Sequence, residues 1–84
     1  MRIVAAAVRL YPAIVTMLPP ARHSHILEHL HAWGVRVTDP AAQGFVTDGG
    51  DYVSRLEARR IAERAGQLLP IAGNTAELFS EDVW

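Results

Sequence analysis

Residues 44–58 constrain the fold of this chain more than any other stretch of its sequence. Residues 45–47 and 52–53 have the β-branched and aromatic character of strands. The pair Gly49-Gly50 between them is typical of a tight hairpin turn, and residues 54–57 have the Ser-x-x-Glu spacing of a helix-capping box. The segment therefore predicts a strand, a turn, a second strand and the start of a helix with almost no connecting residues.

The preceding part of the chain predicts a hairpin and a helix. Residues 3–10 and 13–18 are rich in Val, Ile and Ala and predict two strands, with Tyr11-Pro12 confined to their connection. Residues 21–33 have helical periodicity, and we expect Pro20 to fit the first turn. The helix presents an apolar stripe toward the sheet and ends at Gly34. That stripe consists of Ile26, Leu30 and Trp33, with Leu27 at its margin.

Two further elements complete the pattern. Apolar and polar side chains alternate over residues 35–38, which predicts another strand that ends at Asp39-Pro40. Residues 57–65 predict a second helix with a narrow apolar stripe, closed by Gly66. That stripe consists of Ala58, Ile61, Ala62 and Ala65. We expect one α+β domain over residues 1–84, with an antiparallel sheet of three to four strands and two helices packed on one face.

Composition excludes several functional classes. The chain has 84 residues, no cysteine and a net charge of −1, which argue against disulfides, thiolate metal sites and general nucleic-acid binding. No apolar run reaches the roughly 20 residues that a membrane-spanning helix needs. We expect an intracellular, soluble protein that does not bind membranes.

The residues that bear chemistry form no recognisable catalytic or metal-binding motif. His25 and His29 are four residues apart on the first helix, but the Glu of a zincin motif and a clear third ligand are missing. We expect the histidines of this helix to be surface or boundary residues. No serine lies in a Gly-x-Ser-x-Gly elbow, and the glycines match no phosphate-binding loop. We expect a protein that is not an enzyme and that needs no metal or cofactor.

Two charged segments are candidate partner-binding surfaces. The second helix carries four arginines, which are either a solvated face or a basic patch for carboxylates or phosphate. They are Arg55, Arg59, Arg60 and Arg64, and Arg59 is spaced to pair with Glu63. Residues 77–84, which we call the tail segment, are acidic and aromatic. This segment either docks on the body or remains free as an interaction motif; its candidate contact residues are Glu77, Glu81, Asp82 and Trp84. Opposite charges on the helix and the tail segment would also suit self-association.

The order of several short motifs resembles a recurring pattern in small phage and prophage proteins. The resemblance covers most of the chain in order and is structural rather than catalytic. It is carried by Gly44-Phe45-Val46-Thr47, Gly50, Tyr52-Val53, Arg55, Glu57-Ala58, Ile61-Ala62, Ala65-Gly66-Gln67 and Leu78-Phe79-Ser80-Glu81-Asp82-Val83-Trp84. Ser54 stands where the pattern usually has Asp, and both residue types cap helices.

The resemblance implies a role in host takeover or counter-defence, and small phage proteins of this kind include anti-CRISPR inhibitors. It implies a protein of the host-cell cytoplasm that binds a type I CRISPR effector complex and blocks target DNA or nuclease recruitment. The alternative is a structural or regulatory phage protein, in the form of a small homodimer, that modulates another phage or host protein.

Overall fold

A four-stranded antiparallel sheet forms the centre of the molecule in the computed structural model, which describes residues 1–84. Strand β1 comprises Ile3–Leu10, β2 Ala13–Met17, β3 Gln43–Thr47 and β4 Tyr52–Ser54. The strand order is β2-β1-β3-β4, so β2 and β4 are the edges. The two predicted hairpins are confirmed: β2 pairs with β1, and β4 pairs with β3.

Both helices lie on one face of this sheet. Helix α1 comprises His23–Ala32 and helix α2 comprises Arg55–Arg64. Side chains from both helices and from the sheet form one core, which confirms the predicted α+β architecture. The buried members of the core are Ile3, Ala6, Val8, Ile26, Leu30, Phe45, Val53, Ala58, Ala62 and Leu78. Neither helix has the length and apolar character that a membrane span requires.

The predicted strand over residues 35–38 is wrong. These residues have no regular structure, and Val35 donates its backbone N–H to the Leu30 carbonyl at 2.8 Å as part of the helix termination. Gly34 adopts a φ of +82°, the left-handed conformation that ends the helix as predicted. None of the four strands pairs with residues 35–38, although the outer edges of β2 and β4 have no strand partner. Val37 packs against the core without entering the sheet.

Two predictions about α1 are also wrong. Pro20 precedes the helix instead of entering its first turn, because residues 19–20 form a turn in which Ala21 N–H bonds the Leu18 carbonyl at 3.1 Å. Ile26 and Leu30 are buried as predicted, but Trp33 is 75% exposed. Helix α1 lies over β1 and the edge strand β2, and no further strand lies beyond β2 to cover the indole.

The helix-free face of the sheet is partly covered by one aromatic ring. Tyr52 lies over Gly44 so closely that a Cβ at this glycine would come within 2.5 Å of the tyrosine Cζ. The Arg9 guanidinium lies 5.2 Å from the centre of the Tyr52 ring. Burial of the phenol raises the pKa of Tyr52 above its usual value. Gly44 is therefore required for this cross-strand packing.

Candidate interaction surfaces on the second helix and the tail segment

Helix α2 begins at a side-chain cap. The Ser54 hydroxyl accepts a hydrogen bond from Glu57 N–H at 3.1 Å, which confirms one half of the predicted capping box; the Glu57 side chain makes no return bond to Ser54 N–H. Ala58 and Ala62 are fully buried against the sheet, so the opposite side of the helix faces solvent. Arg60 and Arg64 lie on that exposed side.

Arg59 does not join them, which corrects the prediction of an outward-facing arginine at this position. Its side chain is 8% exposed, and its Nε donates to Glu63 Oε1 at 3.1 Å, the predicted pair. Its Nη1 lies 3.9 Å from Asp82 Oδ2 in the tail segment and has no hydrogen-bond partner. Arg59 therefore lies on the flank of α2 that the tail segment covers, and it is not available to a partner.

Arg55 is also engaged within the molecule. Its guanidinium lies 3.8 Å from Glu77 Oε2 and 5.5 Å from the centre of the Phe79 ring. It also donates to the Pro40 carbonyl at 3.3 Å. Of the four predicted arginines, this one holds the tail segment and only Arg60 and Arg64 remain fully outward.

The tail segment is docked, which confirms one of the two alternatives drawn from its composition. Leu78 is fully buried, and its N–H donates to the Arg55 carbonyl at 2.9 Å. The Trp84 indole N–H donates to the Ala21 carbonyl at 2.9 Å, and the Arg22 guanidinium donates to the Trp84 backbone oxygen at 2.7 Å. The segment therefore ties α1 to α2.

The docking removes part of the predicted acidic surface. Asp82 is 6% exposed, and its Oδ2 accepts from Phe79 N–H at 2.9 Å, so the expectation of a free carboxylate at this position is wrong. Trp84 is half-buried and occupied by the contacts just described. Glu81 is exposed, and Glu77 is exposed beside Arg55.

His23 is a buried residue whose role the sequence did not reveal. Its Nε2 lies 2.6 Å from the Gly44 carbonyl oxygen, and its Nδ1 lies 3.3 Å from the Ser80 hydroxyl. The carbonyl requires a proton on Nε2, so Nδ1 accepts from the hydroxyl in the neutral ring. Burial lowers the pKa of His23, and the hydrogen bond to Gly44 opposes this only in part. The expectation that all histidines of α1 are surface or boundary residues is therefore wrong at His23.

The remaining histidines form no ligand cluster. His25 Nδ1 accepts a hydrogen bond from Arg22 N–H at 2.8 Å, at the start of α1. No group of three or more His, Asp or Glu side chains is placed to share a metal ion.

Arg60 and Arg64 border an open groove of ≈530 Å³ on the outer side of α2. Its apolar part is formed by Met1, Leu56 and Ile61, and Leu56 is 46% exposed. Every ion pair within 4.0 Å involves Arg55 or Arg59, so neither of the bordering arginines forms one, although the Glu57 carboxylate also lines the groove. We call this surface, formed by these five residues together with Ser54 and Glu57, the α2 groove. Its composition suits an apolar side chain flanked by carboxylates.

Comparison with known proteins places the chain among small phage proteins, which confirms this part of the sequence resemblance. Residues 2–84 match the family model described as Phage T4 y16D protein, and the chain belongs to that family. Searches of curated proteins and of solved structures gave no match.

Proposed function

We propose that this phage protein acts by binding a host protein complex through the α2 groove, without catalysing a reaction. The observation that carries the proposal is that Arg60 and Arg64, which form no ion pair within 4.0 Å, lie beside exposed apolar side chains. An apolar centre with a charged rim is the usual composition of a protein–protein interface. Two arginines four residues apart on a helix repel each other, and an acidic partner relieves that repulsion.

The proposed partner is a multisubunit type I CRISPR effector complex of the host. The protein would occupy a surface that target DNA or the nuclease subunit needs and would block it sterically. Membership of a phage family supports a role in the infected cell, and the absence of basic excess in a chain of net charge −1 favours a protein surface over bare nucleic acid. Among the predicted contact residues, Arg60, Arg64, Glu77 and Glu81 are exposed, and Glu77 lies beside Arg55.

The test is co-purification of the effector complex with wild-type protein and with Arg60→Glu/Arg64→Glu. We expect wild type to retain the complex and to restore phage plating on a CRISPR-immune host. We expect the double variant to bind at least about tenfold more weakly, because each reversed charge faces an acidic partner.

Arg2→Glu/Arg36→Glu is the matched control, since it makes the same change in net charge at exposed positions outside the groove. If wild type neither binds the complex nor affects plating, the CRISPR proposal is wrong. Equal losses of binding in the two double variants would contradict binding through the α2 groove.

A second candidate function is a structural or regulatory phage module that acts as a homodimer. An apolar groove of ≈310 Å³ beside the edge strand β2 favours it. A stable dimer that binds no defence complex would support this alternative over the first.

A further inference from the structure

The edge strand β2 lacks the features that usually protect a sheet edge. Its sequence, Ala13–Met17, contains no charged residue, and its pairing with β1 runs without a register shift. Pro12 lies in the preceding turn, outside the strand. No other strand pairs with the outer side of β2, so that side presents free backbone N–H and C=O groups. Charges, prolines and bulges normally prevent such an edge from adding another strand.

Exposed apolar side chains accompany this edge on both faces of the sheet. On the helix side, the ≈310 Å³ groove between β2 and α1 has an apolar lining of Val15, Met17, Ile26, Leu30 and Trp33, completed by Thr16 and His29. Trp33 stands at its margin and is 75% exposed. On the opposite face of the same strand, Ile14 is 41% exposed.

We propose that β2 is a dimer interface, at which a second copy of this chain adds its own β2 to the sheet. The row of free N–H and C=O groups along β2 can hydrogen-bond to an extended strand, whereas a helix uses its own backbone groups internally and cannot pair with this edge. A two-fold axis makes two copies of one strand antiparallel, which is the arrangement of the whole sheet.

A second copy also fits the chemistry of the surface. Because β2 carries no charge, pairing the strand with itself brings no like charges together. An axis centred on Val15 sets Ile14 opposite Thr16 of the second copy. Each copy carries an apolar groove lined in part by its own exposed Trp33, so a two-fold axis at β2 brings two apolar surfaces together.

The dimer leaves the α2 groove free. Helix α2 packs on β3, β4 and β1, whereas β2 is the opposite edge of the sheet. In the resulting eight-stranded sheet the two β3 strands, over which the α2 helices are centred, are about 24 Å apart, from five strand spacings of about 4.8 Å. The mass of the protein therefore tests this proposal independently of any binding through Arg60 and Arg64.

The experiment is sedimentation equilibrium over a range of micromolar concentrations. We expect wild type to approach twice the 9.2 kDa mass of one chain. We expect Ile14→Lys, which brings two ammonium groups close across the axis, and Trp33→Glu each to raise the dissociation constant at least about tenfold. Ile71→Lys is the matched control, because Ile71 is also an exposed apolar residue, at 85%, but borders neither groove; we expect it to remain dimeric.

Hydrogen exchange of wild type gives a second readout that needs no variant. We expect the outward amides of β2 to become protected as the protein concentration rises. A monomer at all concentrations, with unprotected β2 amides, would overturn the proposal. A dimer that both interface variants leave intact would overturn the assignment to β2.

Discussion

Among single residues, Gln67 hydrogen-bonds with both backbone groups of Ile3. Its side-chain amide accepts from Ile3 N–H at 2.8 Å and donates to the Ile3 carbonyl at 2.7 Å. Strand β2 pairs only with residues 6–10 of β1, so Ile3 lies beyond the end of β2, and the Gln67 side chain bonds its backbone there. Gly66, with a φ of +68°, ends α2 and turns the chain toward this contact.

Replacement of this amide tests the role directly. We expect Gln67→Ala to lower the free energy of unfolding by about 1–3 kcal/mol, because it leaves two polar groups of the buried Ile3 unpaired. Urea denaturation measures the loss. Gln43→Ala is the control, since Gln43 is also half-buried but its side chain makes no hydrogen bond, and it should cost clearly less. Equal losses in the two variants would contradict this role for Gln67.

At the level of elements, one buried imidazole connects α1, β3 and the tail segment. His23 belongs to α1, its Nε2 bonds the Gly44 carbonyl of β3, and its Nδ1 bonds Ser80. The ring also packs edge-on against Phe45, with centroids 4.9 Å apart. These contacts favour the neutral ring, since the protonated ring would lose an acceptor at Nδ1 and place a charge in the core.

This arrangement predicts acid sensitivity. The pKa of His23 is lowered from its ordinary 6.5, so the unfolded chain binds this proton more readily than the folded one. The stabilisation is complete above pH 6.5 and is lost as the pH falls from there through the folded-state pKa. Urea denaturation at pH 7.5 and at lower pH should show this decline, and His23→Gln should show a smaller one. An identical pH dependence in both proteins would show that His23 does not cause it.

Elements defined by neighbouring residues were predictable from the sequence. The hairpin of β1 and β2, the hairpin of β3 and β4 and the Ser54 cap of α2 depend on turns and spacing within a few residues. The strand predicted over residues 35–38 was wrong because alternation of side chains does not provide a pairing partner, and these residues pair with no strand of the sheet.

The candidate surface was predictable only in part, for the same reason. Helical spacing identified Arg60 and Arg64 as outward, and the structure agrees. Arg59 is covered by Asp82, a residue 23 positions later in the sequence. His23 gave only one signal, its position near the apolar stripe of α1, and its partners Gly44 and Ser80 are far away along the chain. Contacts of this range depend on the whole fold.

For the whole molecule, the order of the sheet separates two surfaces of different character. The uncharged edge of β2 and the arginine-bordered α2 groove lie at opposite ends of the strand order. The tail segment fastens α1 and α2 between these ends through Arg22, Arg55 and Arg59. Most of the residues on which the sequence resemblance was based therefore lie in the scaffold, and the two proposed binding surfaces lie at its ends.

The placement of the two tryptophans gives the molecule separate optical reporters. Trp33 is exposed beside β2, whereas Trp84 is half-buried, with its ring 6.3 Å from Phe45. In a Trp84→Phe variant, iodide should quench the remaining indole fluorescence strongly in dilute solution and less as the concentration rises. In a Trp33→Phe variant, the remaining emission should shift to longer wavelength when the tail segment leaves the body. Fluorescence can thus follow self-association and release of the tail segment without an attached dye.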